Sequence, residues 1–293
     1  MNIRSHLLQN NKYQRISDTG EQRYVQHSSS NHDSLISYIS NKCPTPSELR
    51  KIYFDTLEYS KLLKKKYELY PSKKLTISEI EIPDLIKKHF SSTTILVVNA
   101  DIIKTIIEFN KATKSKILVL NLASNFKYGG GVETGVMAQE EELFRKTDYG
   151  LHSGKELYPL SHYQFVVTEN VSIVKDEFYN KIDMVDIFDV DMIAMAGLYR
   201  PELINGNFSK KDYDLTYLKI ENIFKYAIFK SYTNLILSAF GCGGFGNPPL
   251  NIIEIYNKCL EKYNGYFENV IFSVKSVQDN NFELFDRNIK RKF

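Results

Sequence analysis

Gly129, Gly130 and Gly131 stand in a row, with Gly135 four residues on, between an apolar run at residues 117–123 and the acids of Gln139-Glu140-Glu141-Glu142. A short apolar run bounded by turn residues reads as a buried strand, and the charged stretch after the glycines has helical spacing. Residues without Cβ let the backbone lie against a ligand and turn its N–H groups inward, which suits a phosphate or another anion. Acids directly after such a cradle are repelled by a bound anion, and their pKa values rise. A raised pKa is what a general acid needs. The same glutamates also suit the first turn of a helix, where negative charge complements the macrodipole, so charge alone leaves both readings open.

The rest of the chain narrows the class. Its 293 residues, 43% hydrophobic and 25% charged, suffice for one large domain or two small ones with a real core. A net charge of +3 from 38 basic and 35 acidic residues gives no field of the kind that marks a nucleic-acid or membrane binder. Cys43, Cys242 and Cys259 are odd in number and lack C-x-x-C spacing, which argues against a disulfide framework or a zinc site and for a reducing compartment. The six histidines have no ligand spacing, so neither a metal nor a cofactor is expected. The first residues lack the apolar core of a secretory signal, and no apolar run approaches the length of a bilayer span. A cytoplasmic protein is the expectation.

Residues 1–45 are polar and aperiodic and are expected to form a loosely ordered extension. Pro44 and Pro46 punctuate its end, Thr45-Pro46-Ser47-Glu48 has the composition of a helix start, and residues 48–66 show helical spacing. Residues 46–92 are therefore expected to be an N-terminal helical accessory segment. From residue 93 strands are expected at 94–100, 117–123, 164–173, 187–196, 234–240 and 269–274. They alternate with helices at 101–109, 140–146, along the stripe Tyr217, Ile220, Phe224, Ala227 and Ile228, and at 250–263. Six strands interleaved with helices imply an α/β sandwich with a mainly parallel sheet, whose ligands bind beyond the carboxyl ends of the strands. Both glycine loops fall there, the second being Gly241-Cys242-Gly243-Gly244-Phe245-Gly246-Asn247.

Other motifs are weaker. Gly241, Gly243 and Gly246 satisfy the letters of a dinucleotide fingerprint, but too little chain follows to build a βαβαβ half. Gly150 to Lys155 falls one residue short of a phosphate loop and has no Ser or Thr after the Lys. No Gly-x-Ser-x-Gly elbow occurs, and the basic residues Arg287, Lys290, Arg291 and Lys292 read as a solvated end.

The triple glycine, a seven-residue spacer and Gln139-Glu140-Glu141 together resemble the signature of the poly(ADP-ribose) glycohydrolases, and the flanking LNLAS and EELFRKTDYG look most like the microbial type. The loop from Gly241 to Pro249 is similar to the family's other glycine loop. The chain departs from the family's usual Asn-Pro at Lys127-Tyr128. The resemblance implies a macrodomain-like three-layer α/β/α sandwich with a mixed, mainly parallel sheet and an N-terminal helical extension, its catalytic domain at residues 93–293. It implies hydrolysis of the ribose–ribose O-glycosidic bond of poly(ADP-ribose), or of an ADP-ribosylated protein, with ADP-ribose as product and no membrane or nucleic-acid partner.

Under that resemblance Glu141 is the general acid, Glu140 positions the leaving side, and Gln139 supports the loop. Gly129, Gly130 and Gly131, with Gly243, Gly244 and Gly246, hold the diphosphate, Val132 and Asn247 also belong to the substrate-binding site, and Phe245 packs on the terminal ribose or plugs its turn. Ser124 and Asn125 face the distal ribose. Asp101 accepts from the adenine amine, caps the helix it precedes, or does both. Two alternatives use the same loops: a macrodomain that binds ADP-ribose without cutting it, and a hydrolase of single ADP-ribosyl groups on protein or nucleic acid.

Overall fold

The computed structural model describes Ile3, Leu7 and residues 43–64, 71–82, 87–276 and 279–293. Nearly all of the expected polar extension lies outside the described residues. The elements in chain order are α1 (Pro46–Lys64), β1 (Lys73–Thr76), β2 (Thr94–Val98), α2 (Ile102–Ala112), β3 (Leu118–Leu122), α3 (Gln139–Lys146), β4 (Gln164–Ile173) and β5 (Phe188–Met195). A small hairpin, β6 (Leu203–Ile204) and β7 (Asn207–Phe208), leads to α4 (Lys210–Phe229), β8 (Asn234–Leu237), α5 (Pro249–Lys262), β9 (Asn269–Ser273) and α6 (Asn281–Asn288).

Seven strands form one sheet in the order β1-β4-β5-β3-β8-β9-β2. The run β5-β3-β8-β9-β2 is parallel, and β4 and β1 are added antiparallel at one edge. All six expected strands are present, and most leave the ladder one to three residues early. Residues 238–240 show why: Ser238, Ala239 and Phe240 are buried and apolar enough to read as strand, but they already belong to the turn that begins the second glycine loop. Strand β1 was not expected. It lies in the stretch read as helical, and its four residues are too few to show a period.

Alternate side chains of the central strands enter two separate cores, which makes three layers. Ile95, Val97, Leu118, Leu120, Leu235, Leu237, Val270 and Phe272 pack under α4, α5 and α6. Leu96, Val98, Val119, Ile236 and Ile271 pack under α2 and α3 on the other face. Helix α2 shows the logic locally. Asp101 caps it by accepting from the Ile103 amide, Ile102, Ile103, Ile106 and Phe109 are buried, and each such side chain contributes about 1.5–3 kcal/mol by leaving water. The sandwich with its mixed, mainly parallel sheet is as expected. Among the described residues no helix is long and apolar enough to cross a membrane.

Helix α1 packs on the first glycine loop. The Arg145 side chain donates from Nε to the Leu49 carbonyl at 3.2 Å, and Thr56 Oγ1 donates to the Arg145 carbonyl at 2.6 Å. At Gly135, whose φ is +80°, a Cβ would lie 2.2 Å from the Pro46 carbonyl oxygen, so only glycine lets the loop close on the start of α1.

Candidate active site

The first glycine loop follows β3 and the second follows β8, and these strands are parallel neighbours, so both loops stand on one edge of the sheet. The loop after β5, on the other side of β3, joins them: a Cβ on Gly197 would lie 3.0 Å from the Gly241 Cα. Asn247 clasps the same loop, accepting from the Leu198 amide at 3.3 Å and donating to the Leu198 carbonyl at 2.6 Å. Expected to meet the ligand, Asn247 is instead a buried bracket between two loops. Its inward position is matched at Gly241, where a Cβ would strike the Asn247 amide group.

Helix α3 orients four consecutive side chains, each about 100° from the last, into four different settings. Gln139 bridges to β3: its Oε1 accepts from the Leu122 amide at 2.8 Å and its Nε2 donates to the Leu120 carbonyl at 2.7 Å. Glu140, 3% exposed, accepts on Oε2 from the Ser124 amide at 2.7 Å. Glu141, 5% exposed, accepts on Oε1 from the Gly131 amide at 2.8 Å. Glu142 turns away from both. It pairs with Arg145 at 2.9 Å and Lys146 at 2.7 Å and accepts from the Tyr179 hydroxyl. Its charge is thus compensated by two buried cations, and it belongs to the fold.

Burial, the largest influence, pushes the Glu140 carboxyl up to about 8, against partial relief from the Ser124 amide. Burial also raises Glu141, opposed by the Gly131 amide. A carboxyl whose pKa is raised by burial can act as a general acid at a glycosidic oxygen. Asn121 donates from Nδ2 to Glu140 Oε1 at 3.4 Å, and its Oδ1 is buried without a hydrogen-bond partner. The Tyr149 hydroxyl is likewise buried, and its pKa is raised by burial.

The triple glycine has a different task from the one expected. The Gly130 amide donates to the Lys127 carbonyl at 3.0 Å, the Gly131 amide to Glu141, and the Val132 amide to the Gly129 carbonyl at 3.1 Å. These donors are committed within the loop and do not form a diphosphate cradle. The missing Cβ atoms matter instead, because a Cβ on Gly130 would lie 2.5 Å from Glu141 Oε1 and 2.9 Å from Glu140 Oε2, and one on Gly129 would enter the Phe144 ring. Val132, also expected at the ligand, is buried in the core beneath the loop. Tyr128, in place of the family's Pro, donates its hydroxyl to the Tyr149 carbonyl at 2.8 Å and packs edge-on against Phe144.

The second loop is the open one. Gly243, Gly244 and Gly246 have nothing within 4 Å of a built Cβ. Among the described residues no hydrogen bond takes the amides of Gly243, Gly244 or Phe245. Asp101 stands on the same edge after β2. Its Oδ1 caps α2 and its Oδ2 lies 3.0 Å from Lys146 Nζ, so the capping reading is realised and an ion pair to α3 is added. Ser124 folds its hydroxyl back to accept from the Phe126 and Lys127 amides at 3.1 and 3.3 Å, and Asn125 holds a buried Oδ1 without a partner beside it. Sequence reasoning missed Tyr179, Tyr199 and Arg200. The last two follow a strand at its carboxyl end, a position that could have flagged them.

The three-layer α/β sandwich carries, on one carboxyl edge, a glycine loop with open amides and two buried glutamates with raised pKa values. Residues 47–183 match the family described as microbial-type PARG, catalytic domain. No curated protein matches the chain. In structure the chain is similar to a poly(ADP-ribose) glycohydrolase from Thermomonospora curvata, with a TM-score of 0.69 and 18% identity over 83% of this chain and 99% of that one. The same enzyme bound to the inhibitor ADP-HPD gives 0.66 at 18% over 82% and 99%. The glycohydrolase from Deinococcus radiodurans in complex with ADP-ribose gives 0.62 at 21% over 78% and 96%. The matched segment holds the acids and the first glycine loop, and the fold around it is similar to that of these glycohydrolases.

Proposed function

We infer that this protein is a poly(ADP-ribose) glycohydrolase, which hydrolyses the ribose–ribose O-glycosidic bond and releases ADP-ribose. The observation that carries this reading is the convergence of Glu140 and Glu141 on the backbone of Gly130, both with raised pKa values, beside a loop whose amides are open. From β3 over β8 and β9 to β2 there are three strand spacings, roughly 14 Å at 4.7–4.9 Å each, room for a nucleotide diphosphate sugar laid along the edge. In this pose the distal ribose meets Glu141, the diphosphate takes the free amides of Gly243, Gly244 and Phe245, and the adenine end points toward Asp101. The Phe245 ring packs on the distal ribose.

Glu141 uses one oxygen on the Gly131 amide and makes no other side-chain hydrogen bond among the described residues. Its proton goes to the departing ribose oxygen as the bond to the anomeric carbon breaks, leaving an oxocarbenium-like centre. The resulting carboxylate takes a proton from water as that water attacks the same carbon. Glu140, neutral and fixed by Ser124, hydrogen-bonds a ribose hydroxyl and holds the sugar in line. The experiment is incubation of the protein with poly(ADP-ribose) and mass detection of free ADP-ribose. Binding of ADP-ribose without its release from polymer would instead establish the non-catalytic macrodomain reading.

A further inference from the structure

Three aromatic rings line the carboxyl edge, one from each of three loops. Phe126 follows β3, Tyr199 follows β5 and Phe245 lies in the second glycine loop. Phe126 and Tyr199 are 64% and 52% exposed. Their ring centroids are 6.1 Å apart with planes at 90°, and Tyr199 meets Phe245 at 5.4 Å and 88°. In edge-to-face pairs of this kind the edge of one ring meets the face of the other, which holds the orientation of both. The backbone fixes the arrangement further, because the Arg200 amide donates to the Phe245 carbonyl at 2.8 Å and the Phe126 amide donates to Ser124 Oγ at 3.1 Å. The Arg200 guanidinium stands 5.4 Å from the Tyr199 ring centroid.

The position of these rings relative to the acids is informative. The Ser124 amide holds Glu140, and Phe126 is two residues further along the same loop. In the pose proposed above ADP-ribose runs from β3 toward β2, whereas Tyr199 follows β5, on the opposite side of β3 in the strand order. Tyr199 also meets the Phe245 ring that packs on the distal ribose in that pose, so the shelf of Phe126 and Tyr199 lies at the distal-ribose end, beside the bond that breaks. In a ribose–ribose linkage the departing oxygen belongs to the adenosine ribose of the neighbouring unit, so an adenine sits one sugar away from the broken bond. The leaving group of a single ADP-ribosyl modification on a protein side chain carries no base.

We propose that Phe126 and Tyr199 form a leaving-side subsite that stacks the adenine of the neighbouring ADP-ribose unit, with Arg200 placing positive charge beside that unit's phosphates. The subsite rests on the glycohydrolase reading of Glu141 given above. Stacking on a protein aromatic is tolerant of sequence and strong enough to raise the capture of a polymer end.

The test measures kcat/KM on poly(ADP-ribose) and the affinity for free ADP-ribose in the wild type, Phe126→Ala and Phe126→Trp. Phe126→Ala is expected to lose roughly tenfold in kcat/KM on polymer, the scale of one base–aromatic stack, with ADP-ribose affinity unchanged. Phe126→Trp retains a stacking face and is expected to keep the wild-type rate. Unchanged kcat/KM in Phe126→Ala overturns the subsite while the glycohydrolase reading stands. So does an equal loss of ADP-ribose affinity, which would place the ring on the product. A wild type that leaves the polymer intact overturns the glycohydrolase reading, and the subsite with it.

Discussion

The Gly131 amide donates to Glu141 Oε1 at 2.8 Å, so the triple glycine and the acid ten residues later are one unit of structure. The acid is held by a single backbone donor and otherwise kept from water. Replacing it by Glu141→Gln preserves the shape and an acceptor for the Gly131 amide but removes the transferable proton. Turnover of poly(ADP-ribose) is expected to fall by roughly two to four orders of magnitude, with ADP-ribose affinity retained by titration calorimetry. Polymer hydrolysis near the wild-type rate would remove Glu141 from the mechanism.

The two glycine loops respond differently to a methyl group. Gly130→Ala forces a Cβ against both carboxylates at a φ of +54°, so the variant is expected to lose activity together with about 1–3 kcal/mol of stability in urea unfolding. Gly243→Ala places its Cβ in open space at an ordinary φ. Its melting temperature should match the wild type, while ADP-ribose affinity drops because the methyl occupies the anion's approach. Equal ADP-ribose affinity in Gly243→Ala and wild type would put the diphosphate elsewhere.

Glu140 makes stability depend on pH with a definite sign. Its carboxyl, ordinarily near 4.5, is pushed up to about 8, so the folded state binds the proton more tightly than the unfolded state does. The stabilisation from its neutral form is complete below 4.5 and is lost as pH rises from 4.5 through about 8. Glu140→Gln, which stays neutral, is expected to gain in melting temperature relative to wild type at pH 9 compared with pH 5. A difference in melting temperature that does not change between these pH values would show that Glu140 is ionised in the folded protein throughout.

Asp101 performs two separable tasks, capping α2 and pairing with the buried Lys146. Asp101→Asn keeps a cap acceptor but removes the charge, whereas Asp101→Ala removes both. The alanine variant is expected to be less stable than the asparagine variant by about 1 kcal/mol, the usual worth of such a cap, in chemical denaturation. If the two variants unfold together, the hydrogen bond to the Ile103 amide contributes nothing to stability.

The layers of the sandwich were legible because the apolar strands at residues 164–173 and 269–274 carry a signal of their own, and both glycine loops were legible because glycine runs after strands have few other uses. Strand β1 was not, since Lys73–Thr76 is a strand only by virtue of its pairing with β4. The roles within Gln139-Glu140-Glu141-Glu142 were legible as a group and not one by one. Four polar letters in a row do not say which side of a helix meets Ser124, which meets Gly131 and which meets Lys146.

Letters and spacing alone determined that this chain places glycine loops and adjacent acids at the carboxyl ends of parallel strands, because those are local properties of backbone freedom and hydrophobic period. Only the tertiary structure decided which glycine amides are free. The first loop spends its donors on its own turn and on Glu141, and the second leaves those of Gly243, Gly244 and Phe245 open while the Gly246 amide donates to the Gly243 carbonyl. A backbone N–H has one bond to give, and who receives it depends on what the fold brings within 3 Å.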